Sequence, residues 1–220
     1  MRTTHNLFLL LVLSTFLFTA CADKPKGQDA EVSEAKEETE AEGNKLPLDM
    51  ESSEVAWKAT KVTGAHNGIV QIKSGHLTHE EGKLTGGEFV IDMTTITVQD
   101  LEGEEKEKLE GHLKTGDFFL VEEHPEARFV ITDIKPSNSD TATHTISGNL
   151  TIRGKTNNIT FDANVQEMDG GAMMATTVFN IDRTKWDVAF HSGMEEWGDK
   201  TIYDEINFDI KLKTKPPKAS

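Results

Sequence analysis

Eight histidines and a single cysteine are the side chains of this 220-residue chain best suited to hold a metal or attack a substrate. His76 and His79 have a spacing that zinc ligands use, in what reads as a glycine-flanked turn, but two ligands do not make a zinc site. His66, His112 and His124 could come together in the folded chain, but their spacing does not show it. His112 is more simply explained as a favourable partner of the helix dipole at a helix C-terminus. We therefore predict no metal.

Nucleophilic catalysis lacks its usual residues in this sequence. No serine lies in a Gly-x-Ser-x-Gly elbow, and Cys21 follows the N-terminal apolar run, so we predict no catalytic residue and no enzyme. The many acids leave a chance pair of glycosidase type open, and a hydrolase or metalloprotein is a third, weaker alternative. Arg183 beside Asp182 predicts an ion pair, either a structural turn clamp or a grip on a ligand phosphate.

The N-terminus has the pattern of an export signal. An apolar run from Leu7 to Phe18 is too short to span a bilayer and predicts a signal peptide over residues 1–20. Phe18-Thr19-Ala20-Cys21 resembles the bacterial lipobox, in which the cysteine is acylated; ordinary cleavage after Ala22 is the alternative. We expect Cys21 to be a lipid anchor that holds the protein to a membrane of the bacterial cell envelope, facing periplasm or surface.

Residues 21–45 contain eight acids, four lysines and almost no large apolar side chain. Such a segment cannot bury a core, and we predict an acidic, disordered tether, with a short helix as the alternative. The formal net charge of the whole chain is -15, which repels phosphate backbones. We therefore expect no nucleic-acid partner.

The remaining residues, 46–220, alternate apolar and polar positions with a period of two, which indicates half-buried antiparallel strands. The clearest are Ala127–Ile131, Ile146–Ile152, Ile159–Val165, Ala175–Ile181 and Ile206–Leu212. Less regular strands fit Val55–Val62, Gly68–Lys73 and Gly87–Met93, and residues 154–157 and 169–171 have the composition of turns.

One segment departs from this period. Glu104–Thr115 places Leu109 and Leu113 on one helical face, with Glu104–Lys108 and Glu110–Lys114 as i,i+4 pairs, and Gly116 follows as its stop. About eight strands and no second layer predict an all-β fold. The sheet should close into an antiparallel barrel with one interrupting α-helix, able to be filled by side chains or to hold one small ligand.

Four blocks of this sequence are distinctive in their residues, order and spacing: residues 91–96 (IDMTTI), 112–119 (HLKTGDFF) followed by 124–129 (HPEARF), 146–156 (ISGNLTIRGKT) and 179–186 (FNIDRTKW). They resemble the YceI-like family of bacterial envelope proteins, and the block that begins at residue 112 is the most specific. The resemblance runs from about Ser53 to Leu212. It implies a lipocalin-like barrel that encloses a polyisoprenoid lipid in an apolar cavity, with no other cofactor.

The sequence supplies residues suited to such a cavity. Strand aromatics would line it, indole N–H groups would face a polar head near its opening, and the helix-end phenylalanines would contact the ligand or plug the end. The candidate ligand-binding residues are Trp57, His66, Phe89, Phe118, Phe119, Phe129, Phe161, Phe179, Arg183 and Trp186, with Phe208 as a further strand aromatic. The alternative is that these aromatics are ordinary core.

Two functions remain after these exclusions. The first is non-enzymatic binding or carriage of an isoprenoid lipid. The second is an envelope-stress or structural interaction protein whose barrel is plugged by its own side chains. A homodimer is compatible with either function.

We predict that Cys21→Ala moves the protein from the membrane to the soluble envelope fraction, because a lone cysteine at the end of the apolar run fits acylation. Fractionation and N-terminal sequencing check this. A soluble parent protein that begins at Asp23 contradicts it.

Overall fold

The structure is a computed structural model that describes residues 27–217. The predicted signal peptide and Cys21 lie outside these residues. Across the described residues the chain forms the strands β1 (Gln28–Asp29), β2 (Glu31–Glu34), β3 (Asn44–Pro47), β4 (Glu54–Lys61), β5 (Gly64–Glu80), β6 (Lys83–Val98), β7 (Glu126–Pro136), β8 (His144–Ile152), β9 (Lys155–Glu167), β10 (Met173–Asp182) and β11 (Ile202–Lys213). It also forms the α-helices α1 (Gly103–Leu113) and α2 (Met194–Trp197), and short 3₁₀ helices at Met50–Ser52, Arg183–Trp186 and Gly198–Lys200.

Strands β4 to β11 form a closed antiparallel barrel. Each pairs with the next along the chain from β4 to β9, β11 pairs with both β4 and β10, and β9 pairs with β10 to complete the ring. The predicted fold class, an eight-stranded lipocalin-like barrel with an interrupting helix, is confirmed. Closure removes the free edges that an open sheet of this size would present.

The period-two pattern assigned the interior correctly on the regular strands. Ile206, Phe208, Ile210 and Leu212 of β11 all face the cavity, as do the predicted apolar positions of β9. The hairpin of β5 and β6 is longer than predicted because register shifts at three places break its alternation. His76 and His79 therefore lie within β5 and not in a turn.

Two local predictions shift by a few residues. The tight turn between β8 and β9 consists of Arg153 and Gly154, both with positive φ, so Lys155 already belongs to β9. Helix α1 ends at Leu113, two residues before the predicted end. Its Glu104–Lys108 ion pair forms at 2.9 Å.

The predicted Glu110–Lys114 pair is replaced by other contacts of the Glu110 carboxylate. It accepts a hydrogen bond from the Val98 backbone N–H at 2.8 Å and lies 3.8 Å from the Lys106 ammonium. This hydrogen bond stabilises the fold more than a surface ion pair would, because the N–H of Val98, the last residue of β6, would otherwise lack an acceptor.

The N-terminal segment differs most from its prediction. We name residues 27–45 the strap. The sequence predicted a solvated tether here, because the segment has few apolar side chains. The strap is nevertheless paired with the strands of the barrel: β1 pairs with β10, β2 pairs with β9, and β3, which begins within the strap, pairs with β5. Backbone hydrogen bonds, which composition does not reveal, hold it in place.

Two barrel side chains hold the middle of the strap. The Asn149 amide accepts from the Lys36 N–H at 2.9 Å and donates to the Lys36 carbonyl at 2.7 Å, so it imitates a strand partner. The Arg128 guanidinium donates to Glu38 at 2.8 Å and to Glu88 of β6 at 2.8 Å. Lys36 and Glu38 of the strap are therefore held by side chains of β8 and β7.

Among residues 27–217, no helix has the length and hydrophobicity needed to cross a membrane.

The Glu38–Arg128 pair makes strap attachment dependent on pH. The hydrogen bond from Arg128 holds the pKa of Glu38 below its ordinary value of 4.5. The pair therefore stabilises the attached strap fully above that value, and its contribution is lost as the pH falls through the lower pKa of the folded protein.

We predict that Arg128→Ala lowers the amide protection factors of β2 at neutral pH by about two- to fivefold, the range for a half-exposed ion pair. The parent should approach the variant in acid, where Glu38 is protonated. Hydrogen exchange followed by NMR checks this, with Lys108→Ala as control, because Lys108 pairs with Glu104 on α1, away from the strap. Equal protection in parent and variant at neutral pH contradicts it.

Candidate functional site

The barrel surrounds one long apolar cavity whose lining comes from all eight of its strands. The volume of this cavity is about 200 Å³. Apart from the indole of Trp57, only Thr177 and Arg183 bring polar groups to the lining. Such a cavity favours an apolar occupant.

A band of five phenylalanines follows the wall of the cavity. Their ring centroids are 6.3 Å apart for Phe89–Phe129, 5.8 Å for Phe129–Phe161, 4.2 Å for Phe161–Phe179 and 5.9 Å for Phe179–Phe208. The inward register of β6, β7, β9, β10 and β11 places one ring on each strand. Offset and tilted rings at these distances attract one another, so the band stabilises this part of the wall.

Inward-facing glycines make room for the aromatic side chains. A Cβ on Gly148 of β8 would lie 2.2 Å from the Phe129 ring, and one on Gly68 of β5 would lie 2.6 Å from the Trp57 ring. These contacts are too short for any side chain larger than hydrogen. Glycines at inward positions of predicted strands were therefore a signal for the aromatic lining that the sequence analysis did not use.

Several inward side chains are only half-buried although they lie in the barrel interior. Phe129, Phe208 and Ile210 belong to this group, whereas Phe161 and Phe179 are buried. All five line the cavity, so the remaining exposure of the first three is consistent with surface facing its open space. These side chains have apolar area that an occupant could cover.

Arg183 closes one end of the cavity as a structural clamp. Its guanidinium donates to the carbonyls of Val188 at 2.6 Å and Ile202 at 2.9 Å, and lies 3.3 Å from an oxygen of Asp204. Burial lowers the pKa of the Arg183 guanidinium, and the carboxylate of Asp204 opposes that shift. The predicted pairing with Asp182 is wrong, because the Asp182 carboxylate instead accepts from the Thr184 N–H and caps the 3₁₀ helix.

Of the other side chains predicted to contact a polar head group, one lines the cavity and two do not. Trp57 lines the cavity, and its indole N–H lies 3.4 Å from the Ile69 carbonyl. His66 does not line it, and its ring is 2.8 Å from the carboxylate of Asp100. Trp186 is fully buried beneath the barrel end and donates to the Leu150 carbonyl at 2.9 Å, so its N–H is not directed at the cavity.

The helix-end phenylalanines reach the cavity from the end that α1 covers. Phe118 and Phe119 both belong to its lining, and Phe118 is buried. The ring of Phe118 lies 5.0 Å from His112 and 5.3 Å from Phe190, so an aromatic cluster covers this end. His112 also contacts the Asp117 carboxylate at 2.8 Å.

This arrangement can enclose an apolar molecule, but it offers little for bond chemistry. The one charged group at the lining, Arg183, donates its hydrogen bonds to the protein itself. Within residues 27–217, no group of three His, Cys, Asp or Glu side chains is placed to hold a metal ion.

Comparison with known proteins identifies the family. The sequence profile of the YceI-like domain matches residues 47–214, about three quarters of the chain. This chain belongs to the YceI-like family. The closed antiparallel barrel described above agrees with this assignment.

Individual relatives are distant. A UPF0312 protein of Pseudomonas putida (strain W619) is 28% identical over 110 residues, which are 50% of this chain and 54% of the relative. A UPF0312 protein of Staphylococcus aureus (strain USA300) is 33% identical over 98 residues, 42% of this chain and 53% of the relative. The YceI-like chain thus spans about half the length of these curated relatives.

Two solved structures share the YceI-like barrel. Burkholderia cenocepacia BcnA aligns with a TM-score of 0.62 at 20% identity and covers 76% of this chain and 99% of its own. A polyisoprenoid binding domain from Saccharophagus degradans, implicated in plant cell wall breakdown, aligns with a TM-score of 0.60 at 14% identity. The alignment covers 78% of this chain and 98% of that domain. At these identities the likeness establishes the fold.

We predict that Phe179→Ala destabilises the protein by about 3–5 kcal/mol, because its ring is buried between Phe161 and Phe208. Phe129→Ala should cost roughly half as much, since part of that ring faces open cavity. Urea unfolding measures the free energy of unfolding of the parent and of both variants, and equal m-values make the three comparable. Equal costs for the two variants would show that the space beside Phe129 is packed.

Proposed function

We propose that this protein binds an isoprenoid-type lipid without chemical conversion, with the apolar tail enclosed in the barrel. The observation that carries the proposal is the cavity lining, which runs the length of the barrel and has almost no polar group. The Saccharophagus degradans domain, described as polyisoprenoid binding, supports the same class of ligand for a barrel of this fold.

The energetics favour recognition of the tail. Each buried CH₂ contributes about 0.8 kcal/mol of gross transfer free energy, so one five-carbon unit contributes roughly 4 kcal/mol before ordering costs. Phe129, Phe208 and Ile210 present apolar area to such a tail. Affinity therefore depends on the number of units that fit.

The head group contributes less to binding. Arg183 would have to give up hydrogen bonds to backbone carbonyls to bind a phosphate, and doing so would leave those buried acceptors unpaired. Trp57 is the lining residue best able to offer a donor, because its present bond of 3.4 Å is long. A weakly polar head, such as an alcohol or quinone, fits this supply of donors.

We place this binding in the bacterial cell envelope, at a membrane to which Cys21 anchors the chain. The lipobox-like sequence before Cys21 supports this location. A membrane-anchored barrel would carry or store a lipid close to the bilayer that supplies it.

A structural interaction protein with a self-plugged barrel is the second candidate. It is favoured by the small cavity volume, about 200 Å³, and by the phenylalanine band, whose rings contact one another along the cavity wall. The two candidates differ in whether the phenylalanine band can move aside for a chain.

We predict that the protein binds prenyl alcohols with affinity that rises with chain length until the cavity is full. Farnesol, geranylgeraniol and longer alcohols of the same head should displace the fluorescent dye N-phenyl-1-naphthylamine in that order. No binding of dye or alcohol, or an affinity independent of length, would favour the self-plugged barrel.

A matched pair of variants tests where the tail lies. Ala175→Phe adds a ring inside the cavity and should move the best ligand to a shorter chain, although overpacking itself costs about 1–3 kcal/mol of stability. Val178→Phe adds the same ring on the exposed face of the same strand and should leave the length preference unchanged.

A further inference from the structure

The wall of the barrel divides between β9 and β10. These strands pair directly only over residues 164–167 and 173–176. At the division, the Thr177 hydroxyl donates to the Asp162 carbonyl at 2.7 Å, so a side chain makes the last link between them. We name the opening beyond this link, between residues 155–162 of β9 and 177–182 of β10, the fork.

The strap fills the fork. β1 pairs in parallel with Phe179 and Asn180 of β10, and β2 pairs antiparallel with residues 157–160 of β9. The Ala30 N–H donates to the Asn180 carbonyl at 2.9 Å, and the Asp162 N–H donates to the Gln28 side chain at 3.3 Å. The two strap strands thus take the place of a direct β9–β10 ladder.

The filled fork lies directly against the cavity. Val32 stands opposite Ile159, and Gln28 stands opposite Phe179; both barrel residues line the cavity. Ala30 and Val32 are half-buried and pack against the core. A polar cleft lined by Gln28, Asp162 and Thr177 also lies at the fork. Removing β1 and β2 would leave a slot through the wall.

The strap is held much less firmly than the strands beside it. Only Ala30 and Val32 contribute apolar contacts in the fork, and β1 and β2 are two and four residues long. Segments with few buried apolar contacts open at low free energy, on their own, while the rest of the fold persists. The neighbouring ladder of β10 with β11 extends over nine residue pairs.

Both ends of the barrel are covered by more deeply buried groups. Trp186, Val188 and the Arg183 clamp close the end near α1. Leu46, Leu48 and Met173, each no more than 3% exposed, close the other. A long apolar ligand would therefore displace fewer packed side chains at the fork than at either end.

We propose that the fork is a lateral entrance to the cavity, and that it is a strand-binding site occupied by β1 and β2 of the same chain. This inference rests on the proposed function, since an entrance requires a ligand. Departure of the strap opens the slot, and its return restores the hydrogen bonds of both strand edges.

A disulfide across the fork tests the entrance. Glu31 and Thr160 are directly opposed on antiparallel strands, so their Cα separation falls in the range that a disulfide spans. Glu31→Cys with Thr160→Cys, in a Cys21→Ser background that removes the native thiol, locks the strap after oxidation with glutathione disulfide. Lys58→Cys with Asn67→Cys, opposed on β4 and β5, is the matched control lock away from the fork.

The measurement is the rate at which N-phenyl-1-naphthylamine enters and leaves the full chain, followed by stopped-flow fluorescence. The locked strap should slow both rates by about tenfold or more, because local opening of the strap is then blocked. The equilibrium affinity of the oxidised variant for the dye should stay close to that of the parent. Reduction should restore the rates, and the control lock should leave them unchanged.

A second variant acts in the opposite direction. Arg128→Ala loosens the strap without a crosslink and should speed exchange of the dye. If the oxidised lock and the control lock exchange the dye at the parent rate, the entrance is overturned while lipid binding stands. If the parent binds no dye and no prenyl alcohol, the proposed function fails, and the entrance fails with it.

Discussion

An apolar cavity inside a sheet requires a wall in which backbone N–H and C=O groups are paired, because an unpaired edge facing an apolar space is costly. In this protein the requirement falls on β9 and β10, which pair with each other at one end only. β1 and β2 supply partners to the two edges that would otherwise be free. The inward register also depends on this closure, since a slip of one residue would turn Phe161 and Phe179 outward.

The size of the cavity is set by a balance between aromatic rings and glycines. Phe129 can reach Phe161 across β8 because Gly148 has no side chain between them, and Trp57 lies against Gly68 for the same reason. The same inward positions thus determine both the stability of the wall and the space left for a ligand. In a YceI-like barrel, substitutions that alter packing at these glycines should therefore also alter which chain lengths fit.

Regular strands and the helix were predictable because their periodicity is local. The alternation of Ile206, Phe208, Ile210 and Leu212 gives their inward face without reference to any other strand. The β5–β6 hairpin was not predictable in length, because its bulges interrupt the period. The acceptors of Arg183 lie on Val188, Ile202 and Asp204, and sequence alone does not show which carbonyls a buried guanidinium meets. The strap was missed because its main partners are backbone groups and the amide of Asn149.

Charge opposes attachment of the strap. Its seven acids and two lysines contribute -5 to the formal net charge of -15, so the rest of the chain is also acidic and repels it at long range. Arg128 and Asn149 offset that repulsion at two points, which fixes where the strap lies without burying much of it. If Cys21 is the anchor, five residues lie between it and Gly27, and the six steps from Cα to Cα reach at most about 22 Å. The segment that closes the fork would then also be the one that ties the barrel to its membrane, which would bring the lateral entrance near the source of the lipid.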